Sequence, residues 1–207
     1  MAGSRSAAPR VGVLALQGDF REHLRVVGAL GAEPVSVRRP EELASVDALV
    51  IPGGESSVMD KLSRTFGLAE PLRHAIDTGL PVYGTCAGLI MLADTVLDAI
   101  PGQRSLGGLD IAVRRNAFGN QLDSFETDLD IPQLGAPDVH AVFIRAPVVE
   151  SVGDDVTVLA SLTDGRVVAV ESAHLLGTAF HPEVTGDTRF HRYFLDKVRD
   201  HMERAHV

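Results

Sequence analysis

The chain has one cysteine, and it stands where a thiol can work. In Val82-Tyr83-Gly84-Thr85-Cys86-Ala87-Gly88-Leu89-Ile90, strand signals precede Cys86 and helix signals follow it. Gly84 and Gly88 bracket it as G-x-C-x-G, the layout of a nucleophile elbow. Such a turn pushes the sulfur out of the sheet, and small neighbours leave the turn unblocked. The positive end of the helix dipole then lies behind the sulfur, and the Ala87 N–H is free to face a developing oxyanion. An isolated cysteine is more often a small buried hydrophobe, about two to one, and the bracketing glycines reverse those odds.

A base is available at His181-Pro182-Glu183, after the apolar stretch Leu175 to Phe180. Residues two apart in extended chain point to one side, and Pro182 biases His181 toward that geometry. His181 would take the thiol proton and later give it to a leaving group, with Glu183 fixing its tautomer. A loop histidine bonded to backbone is the competing reading. His23, His191, His201 and His206 lie in charged helical or terminal stretches and suit solvated surface. His74, His140 and His174 suit ordinary helix-face or loop positions.

Pro52-Gly53-Gly54-Glu55-Ser56-Ser57 follows another strand. Its glycines let backbone approach a ligand, so Gly54 is the second oxyanion donor expected beside Ala87. Glu55 and Ser56 suit the amino-acid end of a substrate; a turn into a Ser56-capped helix is the alternative. No Gly-Lys-Ser/Thr follows, so this is not a Walker phosphate loop. Arg114-Arg115 and Arg145 come at strand ends, where a guanidinium fork can hold a carboxylate. Solvated surface competes more strongly for Arg114 than for Arg145, which sits in an apolar stretch.

These residues need a scaffold, and the pattern supplies one. Strands near Arg10–Leu16, Glu33–Val37, Ala48–Ile51 and Pro81–Gly84 alternate with helical segments, which predicts a parallel sheet between helices. The second half is strand-rich, with Ile111–Val113, Ala141–Ile144, Val156–Leu162, Val167–Glu171 and Leu175–Phe180, so part of the sheet is mixed or antiparallel. A closing helix over about Thr188–His201 repeats Phe190, Phe194, Val198 and Met202 on one face. The expectation is an α/β three-layer sandwich whose ligands gather at the carboxyl ends of strands. One domain is expected over residues 10–204, after an extension over 1–9 expected to be disordered. The 207 residues suit that size.

Composition narrows the function further. With Lys+Arg 19 against Asp+Glu 28, the net charge of −9 argues against nucleic-acid binding. A lone cysteine cannot form an intramolecular disulfide, and no apolar run reaches the ~18 to 20 residues of a membrane span. A cytoplasmic protein is expected.

The segments Ala15-Leu16-Gln17-Gly18-Asp19-Phe20, Ile51-Pro52-Gly53-Gly54-Glu55-Ser56-Ser57, Gly84 to Ile90, Arg115-Asn116-Ala117-Phe118-Gly119, Val142 to Pro147 and Phe180 to Glu183 together resemble the class I glutamine amidotransferases. The second and fourth are similar to those of the branch serving pyridoxal 5′-phosphate synthases. Met91 and Val184 depart mildly, each where a leucine is expected. The resemblance implies a flavodoxin-like amidotransferase architecture and a Cys86-His181-Glu183 triad releasing ammonia from glutamine through a thioester. It implies glutamine held by Gly54, Glu55, Ser56, Arg115, Ile144 and Arg145, with Gln17 near the oxyanion region at the face meeting a partner. It implies a synthase subunit as that partner, and neither metal nor organic cofactor. A glutaminase serving another synthase, and a cysteine hydrolase or peptidase of similar fold, remain as alternatives.

Overall fold

A computed structural model describes residues 8–115 and 124–205. Most of the expected N-terminal extension, and Asn116 to Gly119 of the arginine-led segment, lie outside the described residues.

The first half alternates strand and helix as its apolar pattern requires. In order come β1 (Arg10–Leu14), α1 (Phe20–Ala29), β2 (Glu33–Val37), α2 (Pro40–Leu43), β3 (Ala48–Ile51), α3 (Ser56–Thr65), α4 (Ala69–Asp77) and β4 (Val82–Thr85). β3 and β4 are buried at every residue, as central strands of a covered parallel sheet are. α5 (Ala87–Leu92) is short and wholly buried, and gives way at once to β5 (Ala93–Leu97). The remaining elements are β6 (Leu109–Arg114), β7 (Ser124–Leu129), β8 (Val139–Ile144), β9 (Val148–Val152), β10 (Thr157–Ser161), β11 (Val167–Glu171), β12 (Leu175–Thr178), α6 (Pro182–Thr185) and α7 (Arg189–Ala205).

The main sheet runs β2-β1-β3-β4-β12-β11-β9-β6-β5, with β10 also on β11. Pairs from β2 to β12 are parallel, and β5 is parallel to β6. β11 is antiparallel to β9, β10 and β12, and β6 to β9. The mixed character expected of the second half is therefore confined to one flank. β7 and β8 form a separate antiparallel ribbon.

One adjacency positions the chemistry. β4 and β12 are parallel neighbours with Thr85 opposite Thr178, so Cys86 and His181 emerge from the same end of the sheet. Beneath them lies an aromatic cluster. Tyr83, Phe143, Phe180, Phe190 and Phe194 are fully buried, with the Phe180 and Phe190 rings edge to face at 5.3 Å. Truncating such a ring costs about 3–5 kcal/mol, so the residue before His181 is firmly anchored. Among the described residues no helix is long and apolar enough to cross a membrane.

Candidate active site

Cys86 adopts φ 50° and ψ −102°, a backbone conformation L-residues rarely hold and one that costs about 1–3 kcal/mol. Several contacts enforce it. The Cys86 N–H donates to the Thr178 carbonyl at 2.7 Å, and the Cys86 carbonyl accepts from the Ile90 N–H at 3.3 Å. The bracketing glycines permit the close packing. A Cβ on Gly84 would lie 2.5 Å from the Gly88 backbone, and one on Gly88 would lie 2.1 Å from the Ile51 carbonyl oxygen. The sulfur is buried and sits 3.9 Å from the Ile144 carbonyl oxygen. Ala87 opens α5 directly behind it.

His181 is buried, and its backbone N–H donates to the Val142 carbonyl at 3.0 Å. Its Nδ1 lies 2.8 Å from Glu183 Oε1. With Nδ1 so engaged, Nε2 is the ring nitrogen left to serve the Cys86 thiol. Burial pulls the His181 pKa down, but the hydrogen bonds and charges of Cys86 and Glu183 outweigh it and raise the ring to about 10. The route to this geometry differs from the extended His-Pro-Glu read in the sequence. His181 is the N-cap of α6 and Pro182 its first residue, so Glu183 reaches the ring from a helical turn. Proline at the first helical position lacks only an N–H that would be unpaired there anyway.

A cleft of about 120 Å³ opens above the sulfur. Gly54, Glu55, Ser56, Arg115, Ile144 and Arg145 line it together with Cys86 and His181, so the expected substrate residues converge. Arg115 donates to Glu55 Oε1 and to Gln103 Oε1, each at 2.8 Å, and Gln103 donates to Ser56 Oγ at 3.0 Å. Gln103, which the sequence reading missed, thus ties the arginine to the glycine loop. Gln17 Oε1 accepts the Glu55 N–H at 2.8 Å, and the Asp19 N–H donates to the Gly53 carbonyl at 3.3 Å. These bonds lash the glycine loop to the β1–α1 turn. Glu55, not Ser56, is the N-cap of α3; its carboxylate accepts from the Ser57 N–H. Arg145 stands one residue beyond β8, exposed and at φ 44°, not within the strand, so it needs no buried partner.

Asp19 and Ile90 also line the cleft. Asp19 occupies the N-cap position of α1 but makes no capping bond; its carboxylate lies 3.9 Å from His181 Nδ1. Among the described residues Asp19, His181 and Glu183 have metal-ligand spacing, but His181 Nδ1 is already held by Glu183.

Two histidines expected on solvated surface are in the core. His23 on α1 is fully buried and His191 on α7 is 1% exposed. Their charged neighbours misled the sequence reading, because adjacent residues on a helix face different ways. Helical spacing carried the correct signal: His23 shares a side with Val27, and His191 with Phe194 and Leu195.

The profile of the SNO glutamine amidotransferase family matches residues 13–200. The pyridoxal 5′-phosphate synthase subunit PdxT of Leifsonia xyli subsp. xyli is 74% identical over 198 residues, covering 96% of this chain and 98% of that protein. The subunit of the same name from Clavibacter sepedonicus is 69% identical over 204 residues, covering 97% and 98%. A crystal structure of a glutamine amidotransferase superposes with a TM-score of 0.84 at 48% identity, covering 91% of this chain and 98% of that one. A strained cysteine at an elbow, a carboxylate-backed imidazole and near full-length relatives lead to one assignment: this chain belongs to the SNO glutamine amidotransferase family.

Proposed function

We propose that this protein is the glutaminase subunit of a pyridoxal 5′-phosphate synthase and that Cys86, His181 and Glu183 hydrolyse L-glutamine to L-glutamate and ammonia. The observation that carries the reading is the 2.8 Å bond from the His181 ring to Glu183 in a buried pair, with His181 and Cys86 lining one cleft. The Cys86 proton passes to His181, and the thiolate adds to the side-chain amide carbon of glutamine. Ala87 and Gly54 N–H groups stabilise the oxyanion. His181 protonates the departing nitrogen, and ammonia leaves a thioester. Water, deprotonated by His181, then cleaves that thioester to glutamate and restores the thiol. Arg115 and Arg145 bring positive charge for the substrate carboxylate, and Glu55 brings negative charge for its ammonium group. Neither metal nor organic cofactor enters these steps.

The proposal assigns this activity to one domain over residues 10–204. A reducing cytoplasm suits a lone working thiol. The ammonia goes to a partner synthase subunit that docks on the face carrying Gln17, whose side chain holds the glycine loop. Ammonia release by the purified chain, with and without that synthase, tests the reading. The expected result is weak hydrolysis alone and a large rise in the complex, both lost in Cys86→Ala. Hydrolysis surviving in Cys86→Ala removes the nucleophile, and full activity without a partner removes the dependence on the synthase.

A further inference from the structure

Glu183 uses one carboxylate oxygen on His181; the other, Oε2, is buried without a hydrogen bond. The side chain has no solvent exposure, so an ionised carboxylate there needs a compensating donor. The polar group facing Oε2 is His23 Nε2, at 3.5 Å. Behind it, His23 Nδ1 lies 2.8 Å from His191 Nε2, and Thr85 Oγ1 lies 3.2 Å from His23 Nε2. Four elements meet here: α1 brings His23, α7 brings His191, β4 brings Thr85 and α6 brings Glu183. The ionisable groups around the carboxylate are His181 with Cys86 and Asp19 beyond it, His23 backed by His191, and Tyr83, whose hydroxyl bonds Thr178.

The tautomers follow from counting donors. A hydrogen bond between two neutral imidazoles needs one N–H and one bare nitrogen. If His23 donated from Nδ1, its Nε2 lone pair could accept from the Thr85 hydroxyl but would also face the Glu183 carboxylate, and His191 would bury an unpaired N–H at Nδ1. The reverse arrangement avoids both penalties. His191 Nε2–H donates to His23 Nδ1, His23 carries its proton on Nε2 between Thr85 Oγ1 at 3.2 Å and Glu183 Oε2 at 3.5 Å, and the orphaned His191 Nδ1 is a bare acceptor. Burial, with the charges of His191 and then His181, holds His23 well below its ordinary pKa, and burial lowers His191 to about 4. Both rings are therefore uncharged near neutral pH.

We propose that His23 and His191 are positioning residues for the reaction: a neutral, buried imidazole pair whose Nε2–H at His23 aims the Glu183 carboxylate, and so holds His181 ready for the Cys86 proton. This rests on the triad reading above. The pair touches no substrate, since neither ring lines the cleft.

The experiment uses the full chain, in which Cys86 is the only cysteine. Iodoacetamide alkylation therefore reports on that thiol alone, and glutamine hydrolysis is measured in the complex with the synthase. His23→Leu removes the donor, whereas His23→Gln returns an N–H near the position of Nε2. The expected result is a ~10- to 100-fold fall in kcat for His23→Leu with KM within about twofold. The alkylation pH profile should move to higher pH, and His23→Gln should recover most of both. On a Glu183→Gln background, His23→Leu should cause no further loss, because it acts through that carboxylate.

A His23→Leu chain that melts earlier but keeps its kcat and alkylation profile overturns the proposal and leaves the triad standing. Unchanged hydrolysis in Cys86→Ala and Glu183→Gln overturns the triad itself. Should His23→Leu fail to fold, the imidazole ¹⁵N spectrum of the unsubstituted chain decides. Neutral rings protonated on Nε2 at both histidines support the proposal, and a His23 protonated only on Nδ1 overturns it.

Discussion

Gly53 packs so closely on His181 that a Cβ built on its α-carbon would sit 2.4 Å from the ring Cε1. The glycine loop is thus the wall against which the imidazole rests. Gly53→Ala should push the ring off its line between Cys86 and Glu183. A misplacement of about 1 Å costs roughly 100-fold in rate, so hydrolysis should fall by about that factor while circular dichroism stays native. A Gly53→Ala chain of ordinary activity would show that the wall is not needed.

The strain at Cys86 sets stability against chemistry. Glycine tolerates φ 50°, ψ −102° far better than cysteine does. Cys86→Gly should be inactive and yet more stable by about 1 kcal/mol, which for a chain of this size raises Tm by roughly 2–4 °C. Cys86→Ala keeps a Cβ and should gain nothing. Scanning calorimetry of the two variants makes the comparison, and equal Tm values would mean that the elbow is unstrained.

His181 titrates at about 10 because Cys86 and Glu183 outweigh the opposing effect of burial. Removing either group should lower the midpoint. With both removed, in Cys86→Ala/Glu183→Gln, burial is left unopposed and the midpoint should fall below the ordinary 6.5. NMR titration of the ring follows this directly. Glu183→Gln alone should also slow hydrolysis by ~100-fold or more, since the imidazolium loses its counter-charge.

Arg115 is held by two bonds of its planar fork, to Glu55 and Gln103. A lysine has the charge without the fork. Arg115→Lys should therefore raise KM for glutamine about 10- to 100-fold and leave kcat within a few-fold. Steady-state kinetics in the synthase complex separate the two, and a loss confined to kcat would move Arg115 from substrate binding to chemistry.

Where the sequence was legible, chemistry or periodicity restricted the residue types. Cys86 between two glycines admits few structures, and His181-x-Glu183 after an apolar strand points at it. The alternating first half foretold the parallel strands β1 to β4. What escaped notice depended on angular position around a helix or on partners distant in sequence. His23 and His191 are separated by 168 residues, and the charges beside them dominate a linear scan. Gln103 meets Ser56 across 47 residues, with nothing local to mark it. Arg145 follows an apolar stretch that suggests burial, whereas the chain turns there at φ 44° and leaves the side chain exposed.

The parallel pairing of β4 with β12 has a wider consequence. Cys86 and His181 follow adjoining parallel strands whose last pair is Thr85 with Thr178, pinned further by the bond from Cys86 N–H to the Thr178 carbonyl. Their separation is thereby gauged by the interstrand spacing of a β-sheet, about 4.8 Å, and owes little to the intervening connections. Lengthening a distant turn, such as the one between β9 and β10, would leave that gauge untouched. Outer loops can thus change in length without altering how these two residues are placed.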